Sequence, residues 1–208
     1  MSGSASCPRC GQDVHRLEVE RSWVCPDHGT VQPVWPVEQP SPDLMHHIAR
    51  SSRVPVWIPW PLPNGWLVTG VAAVGEDPMA ARAVAVACSG PAPLGGLGEL
   101  IVVAEEPGLG FGARFAGLDE PDPGEAIWSR PSDARIVNGH HPAAMWSLET
   151  RRDRAAFVGE AQGLWLWAVL WPADTGYLVA EDLGLMDLRE APSAFDVPCG
   201  ALSPRLVA

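Results

Sequence analysis

Leu164-Trp-Leu-Trp-Ala-Val-Leu-Trp171 is apolar at every position. In an extended chain alternate side chains point to opposite faces, so Trp165, Trp167, Val169 and Trp171 line one side and Leu164, Leu166, Ala168 and Leu170 the other. A strand apolar on both faces must be covered on both, which places it in the interior of a sheet. Around it the chain switches between short apolar segments and Gly/Pro breaks, the rhythm of an antiparallel sheet. Gly65 to Val74, Arg82 to Cys88, Glu99 to Glu105 and Phe111 to Phe115 read as strands, and so do Ala144 to Leu148, Ala155 to Glu160 and Tyr177 to Asp182. A Pro/Asp-rich excursion over 119–142 separates the two groups. Ala81, Ala83, Ala85 and Ala87 give one strand a smooth face that another element can approach closely.

The N-terminus follows a different logic. Cys7-Pro-Arg-Cys10-Gly is answered by Cys25-Pro-Asp-His28-Gly. Each knuckle presents two soft ligands from one tight turn, and together they make the Cys3His set of a tetrahedral zinc ion. Proline fixes φ after the first cysteine, and glycine after the last ligand accepts the positive φ that reverses the chain. Arg16 to Glu20 alternates polar and apolar side chains like a half-exposed strand. The whole reads as a zinc ribbon, too small to fold on its own apolar surface and dependent on a structural metal. His15 and Asp27 fit the paired spacing less well than His28. A redox role for the Cys-x-x-Cys pair lacks the surrounding βαβ pattern.

Pro33, Pro36, Pro40 and Pro42 mark a connector that cannot be regular sheet. Within it, Ser41-Pro42-Asp43 supplies an N-cap, a proline at the first helical position and an early acid, so a short helix is expected over about 42–50. His46 and His47 are adjacent on it and point about 100° apart, a surface arrangement and not a chelate. Val54 to Trp66 carries Pro55, Pro59, Pro61 and Pro63, which force an extended path presenting Trp57, Trp60 and Trp66. These rings either lid the sheet or form an aromatic groove for a ligand. The expected fold class is thus mainly β, with α+β as the alternative: a zinc ribbon over 1–34, the connector over 35–53, and a Trp-rich antiparallel β domain with few short helices over 54–208.

Composition narrows the function. The chain has 208 residues, fourteen arginines, no lysine and a net charge of −11. Without lysine, Schiff-base chemistry and a Walker-type phosphate site are excluded. The negative charge opposes nucleic acid, the usual ligand of a zinc ribbon, because a phosphate backbone needs clustered cations. The one basic cluster, Arg151-Arg152-Asp153-Arg154, reads as a solvated loop. The longest apolar run, Gly163 to Ala173, has eleven residues, short of the roughly 20 that span a bilayer. Cys88 and Cys199 are unpaired thiols that suit a reducing cytosol, and the expected location is cytoplasmic.

The chemical candidates beyond the metal are few. Ser89 to Gly98 is Gly-rich and follows a strand, yet runs into another strand, so it offers no helix N-terminus to an anion. Gly108 to Gly112 reads as a hairpin turn. Cys88 and Ser89, with His140 and His141 in a distant loop, have the residue types of nucleophilic catalysis but not its spacing. Glu99, Glu105 and Glu106 are acid/base types that nothing in the sequence singles out.

Several strings recur together: Cys7-Pro-Arg-Cys10, Val54-Pro-Val-Trp-Ile-Pro-Trp-Pro-Leu-Pro63, Ala87-Cys-Ser-Gly-Pro-Ala-Pro-Leu-Gly-Gly96, Gly163-Leu-Trp-Leu-Trp-Ala168 and Pro198-Cys-Gly-Ala-Leu-Ser-Pro-Arg-Leu206. Over nearly its whole length the chain resembles an uncharacterised actinobacterial family with an N-terminal zinc ribbon and a Trp-rich β domain. The resemblance implies a bacterial cytosolic origin and no particular activity. The sequence favours a binding or interaction module for a protein or small-molecule ligand. A hydrolase or transferase with its site at the Cys88–Gly98 loop is the second reading, and a nucleic-acid accessory protein the third. The C-terminal stretch from Pro198 to Leu206, with one charge and two leucines, is expected to dock on the β domain.

Overall fold

The computed structural model describes residues 5–19, 21–35, 39–77, 80–138, 141–181, 183–191 and 196–207. Strands β1 (His15–Leu17), β2 (Ser22–Cys25) and β3 (Gly29–Val31) form a small antiparallel ribbon in that order. Helix α1 (Pro42–Ser51) follows, and then β4 (Trp57–Pro59), β5 (Leu67–Val74), β6 (Ala83–Pro91) and β7 (Leu97–Glu105). After α2 (Phe111–Ala116) come β8 (Ala134–Asn138), β9 (His141–Ser147), β10 (Ala155–Ala161) and β11 (Leu164–Trp171). Helix α3 (Tyr177–Ala180), β12 (Gly184–Asp187) and α4 (Pro204–Val207) complete the chain. The nine later strands make one sheet, ordered β4-β12-β8-β9-β10-β11-β7-β6-β5, which curls into an open half-barrel. The architecture is mainly β. Among the described residues no helix is long and apolar enough to cross a membrane.

Strand β11 is interior, paired with β10 and β7 so that Trp167 faces Val158 on one side and Val103 on the other. Its two faces feed two cores. Leu166, Ala168 and Leu170 pack with Met45, Trp57, Ile58 and Cys88, while Trp167, Val169 and Trp171 pack with Phe111, Phe115 and Ile127. The alanine face of β6 belongs to the second core, where Val34 from below the ribbon and Leu206 from the C-terminus join it. Helix α1 starts as its sequence dictates: the Ser41 hydroxyl accepts the Leu44 N–H at 3.2 Å, and Met45 and Ala49 are buried.

Edge strand β5 is covered by other parts of the chain. Val34 bridges Val74, and Cys199 bridges Val68. The Val68 N–H donates to Pro198 O and the Gly200 N–H to Val68 O, so the C-terminal segment runs along the edge as a short added strand. Leu206 is buried, and it packs with Leu202 over Gly70, where a Cβ would lie 2.5 Å from Leu206 Cδ1.

Four expectations need correction. Phe111–Phe115 and Tyr177 onward are helical, not extended: a segment of four to six residues is too short for helical and strand periods to be told apart. Asp182, the expected end of the second, lies outside the described residues. Gly108 to Gly112 is no hairpin, because left-handed Gly110 caps α2. The excursion over 119–142 is not strand-free but contains β8, which pairs antiparallel with β9 and parallel with β12 in an otherwise antiparallel sheet of the described residues. The Val54–Trp66 segment is extended as expected, but Trp57–Pro59 pairs with β12 as an edge strand, where proline is tolerated. Trp57 and Trp66 are buried there and Trp60 is exposed, which favours the lid over the groove.

Candidate metal centre

The ribbon exists to bring two knuckles together. Hairpin β2–β3 carries Cys25 and His28 around one turn, and the 7–10 turn closes with a Gly11 N–H to Cys7 O bond of 2.9 Å. Gly11 and Gly29, the residues after Cys10 and His28, both have the positive φ that the sequence suggested. The ligand atoms of Cys7, Cys10, Cys25 and His28 all lie within 4.8 Å of one another and can hold a metal ion. Cys10 Sγ and Cys25 Sγ are 3.7 Å apart, and His28 Nδ1 is 3.7 Å from Cys7 Sγ and 3.6 Å from Cys25 Sγ. Those are edge lengths of a tetrahedron whose centre is about 2.3 Å from sulfur and 2.0–2.1 Å from nitrogen. His15 is exposed on β1, and Asp27 accepts the Gln12 side-chain N–H at 2.6 Å, so neither replaces His28 in the cluster.

The ligands of the cluster differ in their electrostatic surroundings. Burial raises the Cys7 thiol to about 12, against the pull of the Arg9 and Cys10 N–H groups. Burial also opposes ionisation of Cys25, but His28 and the N–H groups of Asp27 and His28 outweigh it and bring that thiol down to about 7. N–H groups aimed at sulfur are what thiolate ligands need, because they share the negative charge the metal leaves uncompensated.

The cluster is tied to the large sheet. Ser6 and Val34 exchange N–H···O bonds of 3.0 and 2.7 Å, the Trp35 N–H donates to Ala73 O at 3.0 Å and the Gly75 N–H to Pro33 O at 3.1 Å. Trp35 also sets its indole N–H on Gly75 O at 2.8 Å and its ring edge-on to Trp23 of β2. On the other flank the Arg9 guanidinium donates to Gly108 O at 3.0 Å. Arg114 of α2 is close enough that the Cys10 and Cys7 charges oppose the lowering of its pKa by burial.

The remaining candidates are built into the fold. Cys88 is buried, and its thiol is pushed up to about 12 by burial and by the nearby Cys199. His140 and the side chain of His141 lie outside the described residues. Glu99 accepts from Ser203 and Arg205, and Glu106 pairs with Arg82 at 2.6 Å. On α1 His47 is exposed and His46 is half-buried.

Glu105 is the residue whose role the sequence hides. It is fully buried and accepts the Phe111 N–H at 2.8 Å and the Gly112 N–H at 3.1 Å, fixing the start of α2. Burial lifts its carboxyl to about 8, against those two N–H groups and the Trp167 indole, and the Asp122 charge adds to the rise. No local motif marks it, since its partners come from a turn that sequence alone did not resolve.

No curated protein and no solved structure matches the chain. Residues 1–206 match a family model, and the chain therefore belongs to DUF6758, a family of unknown function.

Proposed function

We propose that Cys7, Cys10, Cys25 and His28 hold one structural zinc ion and that the protein is a cytosolic binding module, not an enzyme. The observation that carries this reading is the tetrahedral spacing of the four ligand atoms in a ribbon hydrogen-bonded to the main sheet. Four protein ligands close the coordination sphere, the arrangement of a structural and not a catalytic zinc. Zinc bound there contributes roughly 10 kcal/mol of folding free energy to a ribbon with little core of its own. At the Cys88–Gly98 loop the Cys88 thiol is buried, and Glu99, the residue that follows the loop, is paired with Arg205. Reduced Cys88 and Cys199 suit the cytosol. The net charge of −11 turns the module away from nucleic acid and toward a protein or small-molecule partner.

Thiol labelling of the folded, zinc-loaded protein tests this reading. With iodoacetamide, Cys88 is expected to stay unmodified for as long as the fold persists. Rapid modification of Cys88 would contradict the reading and restore the enzyme.

A further inference from the structure

Strand β11 carries a tryptophan at each end of one face, and the chain treats the two ends differently. At one end two guanidiniums lie over Trp171, Arg205 at 4.5 Å and Arg154 at 5.2 Å from its ring centroid. Each arginine is held by a carboxylate, Arg205 by Glu99 at 2.5 Å and Arg154 by Asp153 at 2.8 Å. Glu99 is the register partner of Trp171 on β7. Arg205 belongs to the C-terminal segment that docks on the sheet edge, so the molecule contains its own example of a peptide arginine seated between a tryptophan face and a carboxylate.

The other end repeats the receptor half of that arrangement. Trp128 stacks on Trp165 with centroids 5.9 Å apart and an interplanar angle of 19°, and meets Trp146 edge-on at 4.8 Å. Trp128 remains 48% exposed beside these two rings. Two carboxylates lie beside Trp165. Asp122 accepts the Trp165 indole N–H at 2.8 Å, and the exposed Glu160 is the register partner of Trp165 on β10. Asp119, Glu120 and Glu125 are exposed in the same loop as Asp122. Arg130 is engaged by Asp133 at 2.6 Å, and Arg135 lies on β8, two strands beyond Glu160. Glu160 also borders a cleft of about 220 Å³ lined by Asn138, Pro142 and Gln162.

We propose that the Trp128–Trp165 stack and its carboxylates form the docking site for an arginine-bearing segment of a partner protein. The inference rests on the binding-module reading above. Charge complementarity selects the occupant: the face of an indole is the negative side of the ring quadrupole, and the acids beside Trp165 reinforce that sign. A planar guanidinium can stack and pair with a carboxylate at once, which the ammonium of lysine does less well. Nucleic acid would bring phosphates against Glu160 and the 119–125 loop and is repelled.

The test uses the full zinc-loaded chain and a blocked Gly-Arg-Gly-Arg-Gly peptide, titrated calorimetrically at low salt, with the Gln-for-Arg peptide as the neutral probe. The arginine peptide is expected to bind with salt-sensitive affinity, and the neutral one to bind at least about fivefold more weakly. Trp128→Ala and Trp128→Leu should both weaken binding about fivefold, since leucine keeps the apolar cover but lacks the π face. Glu160→Gln should weaken it about twofold, and Trp60→Ala should leave it unchanged. Equal binding of the two peptides, unaltered binding by either Trp128 variant, or tighter binding of a single-stranded oligonucleotide would overturn the site. Zinc content and Cys88 protection are independent of Trp128, so if they hold while peptide binding fails, this surface is wrong and the binding-module reading stands.

Discussion

Gly112 shows how one residue sets a packing distance. An added Cβ would lie 2.2 Å from Trp167 Cδ1, so α2 can lie flat on the buried indole only because position 112 has no side chain. Gly112→Ala should destabilise the protein by about 1–3 kcal/mol through overpacking, read from urea unfolding. Glu105, one turn of chain away, gives the fold a pH dependence. Its carboxyl is raised from 4.5 to about 8 in the folded protein, so between those values the native state holds a proton that the unfolded chain has lost. Its contribution is therefore fully present below about 4.5 and declines as pH rises toward about 8. Glu105→Gln should flatten the stability profile across that window, and a profile unchanged by the substitution would contradict the assignment. None of this was legible locally. Glu105 stands beside Glu106 in the sequence, and only the placement of α2 separates a buried anchor from an ion-paired surface acid.

Among the elements, the C-terminal segment is the most informative. Cys199 lies alongside Val68, Leu206 enters the second core, and Arg205 reaches Trp171 and Glu99. Deleting residues 198–208 should lower the melting temperature by several degrees, because withdrawing Leu206 and the partly buried Leu202 costs about 3 kcal/mol by area. A truncated protein that melts with the full chain would show that the edge of β5 does not need this cover. The elements read correctly from sequence share a property: β11 and α1 announce themselves through period or cap within their own residues. Those read wrongly, α2 and α3, are short apolar stretches whose conformation is decided by what they pack on. Strand β8 escaped notice because its pairing with β9 and β12 is tertiary and its surroundings are rich in Pro and Asp.

At the scale of the molecule, the two sheets act as one structure because the ribbon's exit, Pro33 and Trp35, hydrogen-bonds to the β5 edge while Arg9 reaches the loop before α2. Loss of the metal would therefore loosen both flanks of the large sheet and not the ribbon alone. The metal centre was the most legible feature of the sequence, since both knuckles are local motifs and folding needs only to join them. The Trp128–Trp146–Trp165 cluster was the least legible, since its members come from three separated segments. The most direct test of the account is the zinc content of the purified protein, by native mass spectrometry with elemental analysis, for the parent chain and for Cys25→Ser and His28→Ala. The account expects one zinc per parent chain, loss of zinc in Cys25→Ser, and weakened retention in His28→Ala. A parent chain that takes up no zinc when folded in its presence, or a Cys25→Ser chain that binds it as tightly as the parent, would contradict it.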